Sequence, residues 1–411
     1  MFRELRESRT IFGAIGPSYI DAEATIFLGL FNAVPYLDSL KEQIKSQSLS
    51  LPIVIVDNNS TDETWDEIQS WLSLFPGQLA LVRNPINLGA SGSLYVNADL
   101  IETPWFITMH QDDFYKPNHA QTLVEAISKS EADTICITTE MGSMAPGGEC
   151  QPCPPRASWL LPDFEPATIF TSNIKVHNVP YPAAAFRSKV FFENAVPWET
   201  TSFPDTEWVL SVASLGKFKF VEKETMLYRE NPLSESHSID SEEKSFGASL
   251  ALLRVFGSKS FDNLCLSTRP EERHRFAASV LDGLKFRLGD SPHKDLVCTF
   301  ASQKMAAAWG YSDLGTNTEL IRSFNEIGAK FPVELLSSLN SFLGSPRTSQ
   351  NPKTPQAWQN RSLKKRFPRV VKLVLAGYGL LPSWARRVGA KIFGAIIRYL
   401  NIKSTWNFRW K

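Results

Sequence analysis

The sequence predicts an α/β fold with a mainly parallel sheet. Over the first 140 residues, short apolar runs alternate with segments whose apolar residues recur at helical spacing. Several of the runs end abruptly in polar residues, as strands do where they leave a core. This β-α-β-α order is typical of parallel sheets, whose crossover connections are helices.

Four strands and the helices between them account for this region. The first helix has apolar residues at Leu37, Leu40 and Ile44, and the second begins near Ser60 or Thr61 in a capping-box pattern. The strands are "ATIFLGLFN" (24 to 32), "LPIVIVDNNS" (51 to 60), "LALVRN" and "WFITMH". The helices are "AVPYLDSLKEQIKSQ", "DETWDEIQSWLSLF" and a glycine-containing entry, "NLGASGSLYVNADLI".

The rest of the chain is predicted to be more helical. Residues 141 to 170 are rich in Pro and Gly and indicate an irregular connection, and a further α/β segment is expected from 171 to about 232. At 411 residues, more than one unit is expected. We expect an α/β domain (1 to 240), a helical region (241 to 345), and a linker with a basic tail (346 to 411).

Charge is distributed unevenly along the chain. Lys plus Arg equal Asp plus Glu at 43 each. Residues 351 to 411, however, hold 14 basic and no acidic side chains, which leaves 29 basic and 43 acidic residues in the body. Five Cys without framework-like spacing indicate a reducing compartment, and Cys150 and Cys153 are interpreted as incidental loop thiols. No signal peptide or membrane span is evident.

Two adjacent carboxylates, Asp112 and Asp113, directly follow the fourth strand. In a parallel sheet the carboxyl ends of neighbouring strands meet at one crevice, where ligands bind. Adjacent carboxylates repel each other unless they share a cation, and Mg²⁺ or Mn²⁺ prefers oxygen ligands and substrate phosphates. The alternative is that both residues cap the next helix, which has Pro117 near its start.

Four segments together resemble family 2 glycosyltransferases with the GT-A fold. In chain order they are "TIFLGLFNAVPYLDSLKEQIKSQ", "IVIVDNNSTDET", "NLGASGSLYVNADLIETPWFITMHQDDFYKP" and "FPDTEWVLSVASLGKFKFVEKETMLYRENPLSES". The resemblance covers roughly residues 24 to 236, and "VDNNSTDET" is its most specific part. It implies a GT-A (nucleotide-diphospho-sugar transferase) fold with a mainly parallel central sheet, followed by a C-terminal helical region.

The resemblance also implies a binding site for a nucleotide-diphosphate sugar. Gly29 and Phe31 would line the base and ribose, and Asp57 would hydrogen-bond the base. Asn59 and Gln111 are further candidates for contacts with the nucleotide sugar.

The segment "HQDD" stands where the family has its D-x-D motif. Here His110 replaces the first Asp. The resemblance implies that Asp112 is a ligand of Mg²⁺ or Mn²⁺ that bridges to both phosphates, with Asp113 in support. The replacement at His110 affects the expected ribose contact more than the metal contact.

The segment "FPDTEW" stands where the family has its late acidic motif. The resemblance implies that Asp205 is the catalytic base, with Glu207 as the next candidate and Pro204 in the place of the usual Glu. An acceptor hydroxyl must lose its proton as it attacks the anomeric carbon, so one such carboxylate is required. Downstream, Arg229 or His237 is a candidate for phosphate contact, although an exposed loop charge is the simpler interpretation.

The basic tail predicts contact with an anionic surface. In "WARRVGAKIFGAIIRYL" (384 to 400) apolar residues occupy one half of a helical wheel and most basic residues the other, which is typical of a helix in a membrane interface. We expect residues 351 to 411 to bind an anionic membrane. The alternative is that they dock on the acidic body. Nucleic-acid binding is not expected, because no recognised module is present.

The expected activity is inverting transfer of a sugar to an acceptor hydroxyl. A glycan or lipid-linked acceptor is expected, as in surface-polysaccharide synthesis, on the cytosolic face of a membrane. Two alternatives remain: a nucleotidyltransferase, or a catalytically silent scaffold of the same fold, which the replacement at His110 would suit.

Overall fold

A computed structural model describes residues 2 to 310, except 146, 149, 152 to 162, 176 to 178, 197 to 200, 202, 231 to 240 and 292. The basic tail, Cys153 and His237 lie outside the described residues, as does the side chain of Cys150. The predictions made for these parts of the chain therefore stay predictions.

The described chain alternates strands and helices and then becomes wholly helical. The strands are β1 (Thr10–Gly13), β2 (Ala24–Leu30), β3 (Ile53–Asp57), β4 (Leu79–Arg83), β5 (Trp105–His110), β6 (Phe114–Tyr115), β7 (Thr134–Met144), β8 (Cys150–Gln151), β9 (Asp163–Phe164), β10 (Ala184–Arg187) and β11 (Lys217–Arg229). The helices are α1 (Phe2–Glu7), α2 (Leu37–Lys45), α3 (Thr64–Gln69), α4 (Gly89–Val96), α5 (His119–Ser128), α6 (Pro166–Lys175), α7 (Ser188–Glu193), α8 (Pro204–Val212), α9 (Ser241–Phe256), α10 (Lys259–Ser267), α11 (Arg273–Leu288) and α12 (Lys294–Ala308).

All eleven strands join one mixed sheet with the order β1-β4-β3-β2-β5-β10-β7-β11-β6, to which β8 and β9 add at β7 and β11. Its centre is parallel, because β3 and β5 flank β2 and β4 follows β3 in the same direction. β10 enters antiparallel between β5 and β7, and β11 runs parallel to β7. The predicted α/β fold with a mainly parallel centre and a helical C-terminal region is confirmed.

Each face of the sheet has its own hydrophobic core. β2 shows why its sequence is continuously apolar: Ile26 and Leu28 point into one core, and Phe27 points into the other. The first core is closed by α2, α3 and α5. The second contains side chains of α4, α6 and α8 together with those of α9 to α12. The C-terminal helices therefore complete a core that the sheet begins.

An aromatic cluster fixes α8 to this second core. Trp208 is fully buried, with its ring centroid 5.2 Å from that of Phe186 on β10 and 4.8 Å from that of Phe191 on α7. Its indole N–H donates to the carbonyl of Phe191 at 3.3 Å. Buried aromatic pairs of this kind stabilise by about 0.5 to 1.5 kcal/mol beyond the area they bury. These contacts hold α8 against β10 and α7.

α11 packs closely on α6 at Gly283. A Cβ atom at that position would lie 2.7 Å from Cγ2 of Ile174, so the absence of a side chain sets the spacing of the two helices. Within the described part of the chain, no helix is both long and apolar enough to cross a membrane.

Candidate active site

Polar side chains follow the carboxyl ends of the parallel strands and meet at one edge of the sheet. Across the strands, Leu30 is paired with Asp57, Asp57 with Arg83, and Gly29 with His110. These registers place the "VDNNSTDET" turn beside the "HQDD" segment. This is the edge where α/β sheets bind ligands.

Gln111 joins the ends of β2 and β5. Its Oε1 accepts a hydrogen bond from the N–H of Phe31 at 2.8 Å, and its Nε2 donates to the carbonyl of Phe31 at 3.2 Å. Phe31 keeps 38% of its surface exposed at the mouth of the cleft. Gln111 therefore positions the exposed ring of Phe31, and a contact of its own with a nucleotide sugar stays a prediction.

The turn after β3 is locked by side chains and by two residues with positive φ. Asn32 and Asn59 have φ values of +50° and +62°, a region in which Asn is tolerated better than most residues. The Asn32 Oδ1 accepts from the N–H of Thr61 at 2.9 Å, and the Asn32 N–H donates to the Ser60 hydroxyl at 2.9 Å. Asn59 is thereby presented at the surface of the turn.

Asp57 lies below this turn and is fully buried. Its Oδ1 accepts from the N–H of Ser60 at 3.1 Å, and its Oδ2 lies 3.2 Å from Nε of Arg83. Burial raises the pKa of this carboxyl, while Ser60 and then Arg83 oppose the shift. Arg83 was not among the residues predicted for the site. Its Cζ atom lies over the ring of Trp65, 5.6 Å from the ring centroid. The predicted contact of Asp57 with a base stays a prediction.

A network of asparagine side chains supports the site from below. Asn58 accepts hydrogen bonds from Asn84 Nδ2 and from the N–H of Leu88, both at 3.0 Å. It donates to Asn87 Oδ1 at 2.9 Å and to the Gly89 carbonyl at 3.1 Å. Both ends of this buried amide are satisfied, so the start of α4 is fixed against the end of β3.

Asp113 occupies the most unusual position in the cleft. It is 2% exposed, and its Oδ1 accepts from the N–H of Arg229 at 2.9 Å. Its Oδ2 has no hydrogen-bond partner among the described residues, and Nδ1 of His110 lies 3.7 Å from it. Burial raises the pKa of Asp113 well above its usual value, with a further contribution from Asp112. Leaving a buried carboxylate oxygen without a hydrogen-bond partner costs free energy. A group whose partner is a bound ligand is expected to be in this state when the ligand is absent.

Two residues hold the acidic pair in place. Arg229, at the end of β11, donates through Nε to the carbonyl of Asp112 at 2.7 Å, in addition to its bond with Asp113. Tyr115 is fully buried, and its hydroxyl oxygen accepts from the N–H of His110 at 2.8 Å. Backbone and side-chain contacts from two other strands thus fix the turn that carries Asp112, which remains half-buried at the cleft.

Asp205 lies in the first turn of α8, which begins at Pro204. Desolvation lowers the pKa of His110, although 40% of its side chain is exposed, and the carboxylates of Asp112 and Asp205 both oppose that shift. Asp205 therefore lies close enough to the "HQDD" segment to act on it electrostatically.

Glu207, the second candidate for the base, lies on the other side of the helix. It is 2% exposed, and both its oxygens accept hydrogen bonds from Arg254 on α9, at 2.6 and 2.7 Å. A carboxylate held in this way is poorly placed to take a proton from an acceptor, which leaves Asp205 as the candidate.

A divalent cation fits the donor set of the cleft. No group of three His, Cys, Asp or Glu side chains in the described ranges forms a complete metal cage. Mg²⁺ and Mn²⁺ sites that also bind phosphates take only one or two carboxylates from the protein. Asp112 at the cleft surface and the unpartnered Oδ2 of Asp113 supply that number.

Part of the chain is similar in sequence to known glycosyltransferases. Residues 25 to 193 match the sequence model described as "Glycosyl transferase family 2". An "Uncharacterized glycosyltransferase" of Haemophilus influenzae is 25% identical over 108 residues, or 26% of this chain and 33% of that protein. The chain thus matches about a third of the length of this curated relative.

Two solved structures are similar in shape at low identity. Staphylococcus aureus TarS 1-349 in complex with UDP is 14% identical with a TM-score of 0.42, covering 75% of this chain and 90% of that one. The mannosyltransferase PcManGT from Pyrobaculum calidifontis, in complex with GDP-Man and Mn²⁺, is 13% identical with a TM-score of 0.46, covering 83% and 91%. Residues 25 to 193, which build most of the parallel part of the sheet, are therefore similar in sequence to glycosyl transferase family 2.

Proposed function

We propose that this protein is an inverting glycosyltransferase that moves a sugar from a nucleotide-diphosphate sugar to an acceptor hydroxyl. The observation that carries the proposal is the unpartnered Oδ2 of Asp113, buried beside Asp112 where the parallel strands end. Asp205, on a separate helix, lies within electrostatic range of His110, so a donor site and a base would lie at one reacting centre.

In this reaction Asp205 accepts the proton of the acceptor hydroxyl. The acceptor oxygen forms a bond to the anomeric carbon as the bond from that carbon to the diphosphate oxygen breaks. The electron pair of the broken bond leaves with the nucleoside diphosphate. Attack opposite the leaving group inverts the anomeric configuration, and a single displacement of this kind requires only one basic side chain.

Asp112 and Asp113 would hold a divalent cation against the diphosphate. A bound cation supplies stabilisation of the negative charge that develops on the leaving group. The chain's own contribution is to fix both carboxylates: Arg229 bonds to the Asp112 carbonyl and to the Asp113 Oδ1, and Tyr115 holds the backbone of His110. The phenyl ring of Phe31, positioned by Gln111, would cover the nucleotide.

The acceptor is proposed to be a lipid-linked or surface-polysaccharide precursor. Support comes from the sequence of the tail, in which 14 basic and no acidic residues follow position 350. Each Lys or Arg close to an anionic leaflet contributes about 1 kcal/mol of attraction. We propose that residues 351 to 411 attach the enzyme to the cytosolic face of a membrane. Deleting them should abolish sedimentation with anionic vesicles, and sedimentation that survives the deletion would refute the attachment.

Nucleotide binding tests the proposed donor site directly. Calorimetry with UDP, GDP and dTDP, each with and without Mn²⁺, should show Mn²⁺-dependent binding of one nucleotide to the wild-type protein. Asp112→Ala should lose that dependence. Asp66→Ala removes an exposed carboxylate on α3 and should bind as the wild type does. Absence of binding under every condition would refute the donor site.

A further inference from the structure

A buried ion pair ties α8 to the C-terminal helices. Glu207 lies two residues after Asp205 in the first turns of α8, and Arg254 lies in the last turn of α9. Arg254 Nε donates to Oε1 of Glu207 at 2.6 Å and its NH2 group donates to Oε2 at 2.7 Å. The side chain of Arg254 is 13% exposed, and that of Glu207 is 2% exposed. Arg254 and Glu207 thus form a bidentate ion pair across the interface between α8 and α9.

The helices meet closely around this pair. Only a cavity of about 10 Å³ lies between α8 and α9. It is lined on α9 by Ala248, Ala251 and Leu252 and on α8 by Thr206 and Leu210. This is near the smallest volume that holds one water molecule, so the interface is packed rather than open to a ligand. A change in the orientation of α9 is therefore transmitted to α8.

A second arginine of the helical region, the half-buried Arg287, lies within electrostatic range of Asp205. Arg287 on α11 lines the same cavity and donates to the carbonyls of Asn173 and Ile174, the latter through Nε, at the end of α6. Burial lowers the pKa of Arg287 to about 10, and the carboxylate of Asp205 opposes the shift. Asp205 thus lies within the electrostatic range of Arg287 on one side and of His110 on the other.

The energetics of the pair favour a positional role over a stabilising one. Replacing a buried ion pair by apolar residues of similar volume is often neutral or stabilising, because desolvation of both charges offsets their attraction. The planar guanidinium, however, fixes distance and angle through two parallel bonds, which an apolar contact does not. Arg254 lies outside residues 25 to 193, the part of the chain that matches the family model, and in the helical region that follows the sheet.

We propose that Arg254 is a positioning residue: through its bidentate bond to Glu207 it sets the orientation of the first turn of α8 and so aims Asp205 at the acceptor hydroxyl. This inference rests on the proposed function, in which Asp205 is the base. The helical region after residue 240 would then be part of the catalytic apparatus.

Release of nucleoside diphosphate from UDP-, GDP- and dTDP-sugars, with water as the acceptor, tests the inference. Arg254→Met should lower kcat by about 10²-fold, as expected for a misplaced catalytic group. The donor KM should be unchanged, since the donor contacts are untouched. Arg254→Lys keeps one bond and should recover part of the loss. Amide hydrogen exchange of residues 204 to 212 should accelerate in Arg254→Met.

Two control variants separate positioning from stability. Leu281→Ala removes a buried side chain of α11, 4% exposed and outside the cavity between α8 and α9, and should lower the urea midpoint of unfolding while leaving kcat of the folded enzyme unchanged. Arg269→Met removes an exposed arginine that pairs with Glu272, and should change neither property.

The outcomes distinguish the inference from the function on which it rests. A normal kcat in Arg254→Met, or an equal loss in Leu281→Ala, would overturn the inference while the wild-type turnover upheld the proposed function. Absence of turnover in the wild type with every donor would overturn both. Unchanged exchange in α8 of Arg254→Met would overturn the inference whatever the reaction.

Discussion

The buried His119 should make the stability of the fold depend on pH. His119 begins α5 and is fully buried; its Nδ1 lies 2.7 Å from Oγ1 of Thr225, and its Nε2 has no hydrogen-bond partner within the described residues. Burial lowers its pKa from 6.5 to about 3. The imidazole ring of His119 is therefore neutral in the folded protein at neutral pH.

The sign and size of the effect follow from this difference. Because the folded pKa lies below the unfolded one, the unfolded chain binds the proton more readily. The contribution of the neutral His119 ring to the free energy of unfolding is fully present above pH 6.5. It is lost as the pH falls from 6.5 towards about 3. Each pH unit in that window costs about 1.4 kcal/mol, so lowering the pH from 7 to 5 should cost about 2 kcal/mol.

Urea unfolding at pH 7, 6 and 5, followed by circular dichroism, measures this loss. His119→Asn, which has no titrating ring, should be less stable than the wild type at pH 7 but should lose about 2 kcal/mol less on going to pH 5. Leu123→Ala, a buried change on the same helix, should keep the wild-type pH dependence. If His119→Asn and the wild type lose equal stability between pH 7 and 5, the buried neutral histidine is not the cause.

Three further substitutions test other contacts. Gly216→Ala should destabilise by about 1 to 3 kcal/mol in urea unfolding, because the new Cβ would lie 2.3 Å from the Asp133 carbonyl oxygen; a neutral effect would contradict the close approach. Asn58→Asp should cost about 3 kcal/mol by the same assay, since it removes two donors and buries a charge; a variant as stable as the wild type would show that the amide bonds are dispensable. Gln111→Ala should cost about 0.5 to 1.5 kcal/mol of stability per lost bond to Phe31 in urea unfolding and should also weaken nucleotide binding in calorimetry; unchanged affinity would show that the position of Phe31 does not affect donor binding.

The strands and the strand-end carboxylates could be predicted because their signals are local. Each parallel strand is a short apolar run, since it is buried on both faces, and two of them end in an ionisable residue that the sequence shows, β3 at Asp57 and β5 at His110. The runs at 24 to 32 and 51 to 60 contain β2 and β3. The family resemblance then implied a metal-binding role for Asp112 and a catalytic role for Asp205.

The supporting contacts could not be predicted, because they join residues that are distant in the sequence. Arg229 is 116 residues from Asp113, and Arg254 is 47 residues from Glu207. No periodicity marks such pairs, and an isolated Arg or Asn has the same local signal on a surface as in a buried network. The antiparallel entry of β10 between β5 and β7 is likewise a choice of partner that the sequence of β10 does not reveal.

The order of strands has a consequence for how the protein is made. β7 lies between β10 and β11, both of which follow it in the chain by at least 40 residues, and the N–H that holds Asp113 belongs to the last residue of β11. During synthesis the acidic pair therefore emerges from the ribosome long before the strand that fixes it. The parallel centre can form early, but the cleft acquires its final shape only after Arg229 has been translated.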